Sequence, residues 1–167
     1  MKYFVCLFLS VLVLNTAAAQ NEELKGKTAP NFTLTDIDGK QFELNKIIGE
    51  GPVLLSFWAT WCKPCMEELA EFNKIYNDLK GKGFKLIAVS TDNEKTVAKV
   101  KPFIKSRNYN FTVLMDTNSE VARKYYAQQI PYSVMLDKNG SIIYSHLGYM
   151  KGDEKKVRSL IEEQLKK

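Results

Sequence analysis

Val53 to Leu69 reads VLLSFWATWCKPCMEEL, and the fold turns on this stretch. Val53 to Trp58 is an apolar run of strand length, broken only by Ser56. A run that short and that apolar suits a central strand buried on both faces. Cys62 and Cys65 follow, separated by Lys63 and Pro64. The period then changes. Cys65, Leu69, Phe72, Tyr76 and Leu79 recur at helical spacing, which predicts an amphipathic helix beginning near Cys62, with Gly81 and Gly83 ending it. A buried strand therefore runs into a helix through a turn that carries a Cys-x-x-Cys.

Outward from that turn the chain alternates between the two periods. Upstream, NFTLTD (31–36) reads as a first strand, DIDGKQ (36–41) as a turn, and Phe42 to Leu44 as a second short strand; Gly49 to Pro52 is a break. Downstream, Phe84 to Ser90 and Phe111 to Asp116 read as strands. Glu94 to Arg107 reads as a helix kinked near Pro102, and Ser119 to Tyr126 as a short helix capped by Ser119. Tyr132 to Asp137 and Ile142 to Leu147 form a hairpin around Asn139-Gly140, and Asp153 to Leu165 is a last amphipathic helix. The order is that of an α/β domain with a mixed sheet and helices on both faces.

The chain has 167 residues, 45% hydrophobic and 26% charged, which suits one globular domain rather than a disordered segment. Residues 1–19 read as a cleaved signal peptide: Lys2, the apolar run Tyr3 to Leu14, then NTAAA ending at Ala19. Residues 20–30 read as a short mature arm and 31–167 as the domain. The run is short for a retained membrane span. Cleavage removes Cys6 and leaves Cys62 and Cys65 as the only cysteines, an even pair in an exported chain. The formal charge of +5 is scattered among short lysine groups mixed with acids, so it points to solvated faces and to no nucleic-acid partner.

A redox pair needs one accessible, acidic sulfur and a second, shielded sulfur beside it. A helix beginning at Cys62 puts that sulfur among free amide N–H groups at the positive end of the helix dipole. Cys65 then heads the apolar stripe, and Pro64 falls where a missing N–H has no helical partner. Cys62 can attack a disulfide, and Cys65 can displace the mixed disulfide that results. A structural zinc site wants four ligands, whereas the mature chain offers two cysteines and one histidine, His146. A purely structural disulfide across so short a loop would constrain little of the unfolded chain.

FWATWCKPC resembles the active-site segment of thioredoxin-like proteins. With APNFTLTDIDGKQFEL upstream and IPYSVMLDKNGSII downstream, the chain is similar over about residues 28–165 to the TlpA/ResA-type extracytoplasmic thioredoxin-like thiol-disulfide oxidoreductase family. The resemblance implies a thioredoxin-like fold, a central mixed β-sheet flanked by helices, with an N-terminal β extension and a central βα insertion. It makes Cys62 the attacking and Cys65 the resolving member of a redox-active disulfide. It makes Pro131, after Ile130, a cis proline facing that disulfide. Trp61, Pro64, Ile130 and Pro131 then form the surface that meets the partner protein. It implies a carboxylate, Glu68, that exchanges a proton with Cys65, while Glu67 lies on the opposite, solvated face. It implies a membrane-embedded thiol electron donor beside the client protein disulfides as partners; no cofactor, no metal and a monomer are expected.

Four positions, at three places, depart from the family pattern. Ser56 stands where thioredoxin carries a buried Asp, Ala70 where a helix-kinking Pro is usual, and Tyr132-Ser133 where Thr-Thr is usual. Ser56 shifts any proton relay to Glu68, and Tyr132 is placed to narrow the partner groove. Trp58 reads as core, and His146 as a strand surface residue. The function expected is an exported thiol-disulfide oxidoreductase, in the periplasm or on the extracytoplasmic side of a membrane, that reduces client disulfides, with cytochrome c maturation among the family's tasks. The alternatives are a thiol peroxidase of peroxiredoxin type and a non-catalytic thioredoxin-fold binding module.

Overall fold

The computed structural model describes residues 24–167; the expected signal peptide (1–19) and the first part of the expected arm (20–23) lie outside the described residues. The strands are β1 (Thr33–Asp36), β2 (Gln41–Glu43), β3 (Val53–Trp58), β4 (Lys85–Ser90), β5 (Thr112–Met115), β6 (Tyr132–Leu136) and β7 (Ile142–Leu147). The helices are α1 (Lys63–Leu79), α2 (Val100–Ser106), α3 (Glu120–Lys124) and α4 (Asp153–Gln164). The strands form one sheet in the order β2-β1-β5-β4-β3-β6-β7. β3, β4 and β5 are parallel, and the other pairings are antiparallel. This is the mixed α/β architecture expected from the sequence.

Every residue of β3 is buried, as its apolar run requires. Successive strand residues face opposite sides, so β3 feeds two cores. Leu54 and Trp58 pack with Leu69 and Phe72 of α1, Val100 and Ile104 of α2, and Val157 and Ile161 of α4. Val53, Leu55 and Phe57 pack with Phe32, Val121 and Ala122 of α3, and Tyr125. Ser56 lies between Leu54 and Trp58 in the alternation, so it projects toward α1. That one polar break in the apolar run matters for the site.

The local differences have physical causes. α2 starts at Val100, after a 3₁₀ turn at Val97–Lys99, so Pro102 falls in its first turn. A proline there lacks an N–H that had no helical partner, and it starts the helix rather than kinking it. Ser119 precedes α3 with φ 56° and makes no side-chain cap. The cap is Asp116, whose carboxylate accepts from the Val121 N–H at 3.2 Å and the Ala122 N–H at 2.8 Å. Leu44, expected in the second strand, instead opens a 3₁₀ turn (Leu44–Lys46) that buries its side chain.

Residues 26–29 run beside the turn end of the β6–β7 hairpin. The Gly26 N–H donates to Ile142 O at 2.8 Å and the Ala29 N–H to Gly140 O at 2.9 Å. The Tyr125 hydroxyl donates to Pro30 O at 2.7 Å. The Gly26 and Ala29 contacts with the hairpin lie at the opposite end of β6 from Pro131.

Candidate active site

The site grows from the C-terminal end of β3. The Thr91 N–H donates to Trp58 O at 2.8 Å. Asp92, two residues past β4 and fully buried, takes the Thr60 N–H at 2.8 Å on Oδ2, the Thr60 hydroxyl at 2.6 Å on Oδ1, and the Ser90 hydroxyl at 2.9 Å on Oδ2. The turn leading into the cysteines is thereby tied to the neighbouring strand. The sequence reading missed Asp92; the only signal was a polar cluster, STDN (90–93), directly after a buried strand.

Cys62 is the N-cap of α1, with extended backbone (φ −92°, ψ 100°), and Pro64 lies in the first turn. The two cysteines form a disulfide with Cα atoms 5.3 Å apart. The Cys65 N–H donates to Cys62 Sγ at 3.3 Å. That contact is the physical form of the stabilisation expected at a helix N-terminus: a free amide is aimed at the sulfur. Cys65 has no exposed surface and Cys62 retains 6%. The asymmetry has the expected direction, though Cys62 is more enclosed than the sequence suggested. Trp61 beside it is 63% exposed, and Lys63 and Pro64 are exposed. α1 continues unbroken through Ala70, where the family pattern has proline.

Glu68 lies one turn beyond Cys65, on the same helix face, and is buried to 2% exposure. Glu67 is exposed. Ser56 Oγ donates to Glu68 Oε2 at 3.1 Å and Ser133 Oγ to Oε1 at 3.2 Å. Burial pushes the Glu68 carboxyl up to about 8; the two serine hydrogen bonds pull against this, and the Asp153 charge adds to it. Two of the positions that depart from the family pattern are therefore the partners of this carboxyl.

The Ile130–Pro131 bond is cis, as the resemblance implies. Ile130 is half-buried and packs against the core cluster that contains Cys62 and Cys65. Pro131 is buried, and its carbonyl accepts the Gly148 N–H at 2.8 Å. Tyr132 does not narrow a groove: it is 3% exposed, in the second core, with its ring 6.5 Å from that of Phe57. The alternation along β6 points it away from α1. His146 is a half-exposed strand residue stacked on Tyr144, with Nε2 3.4 Å from Asp153 Oδ2.

The AhpC/TSA family model matches residues 25–145. The thiol-disulfide oxidoreductase ResA of Bacillus thuringiensis is 40% identical, over 85% of this chain and 77% of its own. ResA of Bacillus subtilis is 34% identical, over 85% of this chain and 78% of its own. The chain belongs to the ResA family of thiol-disulfide oxidoreductases. A Chlorobium tepidum structure assigned to the thiol:disulfide interchange protein DsbE superposes with a TM-score of 0.77 at 30% identity, covering 84% of this chain and 97% of that one. Like its ResA relatives, the protein is a thioredoxin-like enzyme whose substrates are disulfides.

Proposed function

We propose that this ResA-type protein is an exported reductase of client protein disulfides. Residues 1–19 are then a removed signal peptide, 20–30 a short arm, and 31–167 the working domain in the periplasm or on the extracytoplasmic face of a membrane. The leader pattern at Lys2, Tyr3 to Leu14 and Ala19 supports export. In this reading a membrane-embedded thiol protein supplies the electrons, the domain works as a monomer, and haem-attachment cysteines of cytochrome c precursors are among the clients.

The observation that carries the reading is the pairing of an N-cap sulfur with a shielded one above a buried carboxyl. In the reduced protein, the Cys62 thiolate attacks one sulfur of the client disulfide. The client's S–S bond breaks, one client thiolate leaves, and a Cys62–client disulfide forms. Cys65 gives its proton to the Glu68 carboxylate and attacks Cys62 Sγ. The mixed disulfide breaks, the second client thiolate leaves and takes up a proton, and the Cys62–Cys65 disulfide forms. Two electrons pass from the protein dithiol to the client, and the membrane donor restores the dithiol by the reverse exchange. Trp61, Pro64 and Ile130 provide the surface on which the client lies, and the buried cis Pro131 sets the course of the chain that carries Ile130.

Two measurements test this. Cys65→Ser should accumulate a covalent adduct with a disulfide client through Cys62, visible as a mass increase that thiol reductant reverses; Cys62→Ser should not. The Cys62–Cys65 couple should titrate in thiol buffers at or below roughly −220 mV, on the scale where thioredoxin lies near about −270 mV. A value near about −120 mV would make the protein a disulfide donor instead. Turnover of hydrogen peroxide with Cys65 replaced would favour the thiol-peroxidase alternative.

A further inference from the structure

We propose that Ser56 and Ser133 are positioning residues for the Glu68 carboxyl, a cross-strand pair of hydroxyls that holds it in one place through both of its protonation states. This rests on the reading of Glu68 as the proton partner of Cys65.

Ser56 of β3 and Ser133 of β6 stand directly opposite each other in the antiparallel register. Opposed residues project from the same face, and here that face lies under α1. Each serine takes its own carboxyl oxygen, Oε2 from Ser56 at 3.1 Å and Oε1 from Ser133 at 3.2 Å. Ser56, Ser133 and Glu68 are 0%, 1% and 2% exposed, so none of the three relies on bulk water.

The choice of hydroxyl matters. A carboxylate only accepts hydrogen bonds, whereas a protonated carboxyl donates from one oxygen and accepts at the other. Backbone N–H groups or a lysine could only donate, and would hold Glu68 as the anion. Carbonyls could only accept, and would hold it as the acid. A hydroxyl does either. When Glu68 takes a proton, one serine turns to accept it while the other still donates. No heavy atom needs to move, so the proton can come and go inside a packed site. The other groups that bear on Glu68 are Asp153 at the start of α4, Tyr144 of β7 and Tyr149 in the following loop. His146 is held against Asp153, and Cys62, Cys65 and Glu71 share the α1 side. Substitution of the serines leaves all of these in place.

The test follows the Glu68 carboxyl by NMR titration of the oxidised, ¹³C-glutamate-labelled protein. It pairs this with the pH profile of the intramolecular step, read as the concentration-independent second thiol release when reduced protein meets an aromatic disulfide. Without the hydroxyls the burial penalty stands less opposed, so Ser56→Ala and Ser133→Ala should each raise the Glu68 midpoint from about 8. The double variant should raise it by roughly one unit or more. The intramolecular step should then slow at neutral pH, by at most about tenfold per unit, because the scarcer carboxylate is also the stronger base. Ser56→Thr and Ser133→Thr, which keep the hydroxyl, should return both readouts toward the parent. A purely structural role would lower stability in the alanine variants and leave the midpoint in place. An unmoved midpoint overturns the proposal, and the single variants carry the same prediction if the double one does not fold. Glu68→Gln separates the two levels: if it leaves the pH profile intact, the proton-partner reading itself is wrong; if it removes the pH dependence while the serine variants change nothing, only the cradle is wrong.

Discussion

Replacing Glu68 by Gln removes a carboxyl whose pKa burial lifts from 4.5 to about 8. Between those values the folded chain holds a proton that the unfolded chain has released. Stability therefore falls as pH rises from about 4.5 through about 8, because ionising the buried group is what costs free energy. Glu68→Gln should flatten that limb: urea unfolding at about pH 5 and about pH 8.5 should give similar stabilities in the variant and a difference of a few kcal/mol in the parent. An unchanged slope in the variant would place the titration on another group. Both cysteines were legible because a short motif and helical spacing announce them, and Glu68 was named through the family resemblance, three residues after Cys65. Their hydrogen-bond partners were not. Ser133 meets Glu68 across 65 positions and Asp92 meets Thr60 across 32, and no local period encodes such a meeting.

At the scale of elements, the two periods carried the strand and helix order, because burial on one or both faces is written into spacing. End residues were harder to read, since a cap is a contact rather than a pattern. Ser119 has the residue type of a cap, but its backbone is left-handed and its side chain makes no cap bond. Asp116, still in the turn after β5, reaches forward and takes two amide protons of α3. Asp116→Ala should therefore cost about 1–2 kcal/mol, while Ser119→Ala should stay within about 0.5 kcal/mol. Denaturant midpoints of the two variants decide between the caps. The same limit explains Pro102: the residue type signals an interruption, but whether it interrupts or starts a helix depends on where the turn before it ends.

Across the whole molecule, β3 carries both the core and the site. Its odd and even residues supply two cores, and its one polar residue supports the carboxyl beside the cysteines. The mixed sheet could be inferred from element order; the place of β1 and β2 against β5 could not, because strand pairing across the chain leaves no local trace. The hydrogen bonds from Gly26 and Ala29 to the hairpin turn have a practical consequence. The described chain enters at one end of β6, and the cis proline sits at the other, about 16 Å away along five residues at the usual strand rise. Anything joined ahead of Leu24, whether a resin, a fusion partner or a lipid surface, starts from the pole away from the dithiol. Protein immobilised through its N-terminus should therefore reduce a soluble disulfide at close to the rate of the free protein. Immobilisation through an engineered attachment at Lys63 should block the reaction, because there the support would stand where a client must dock.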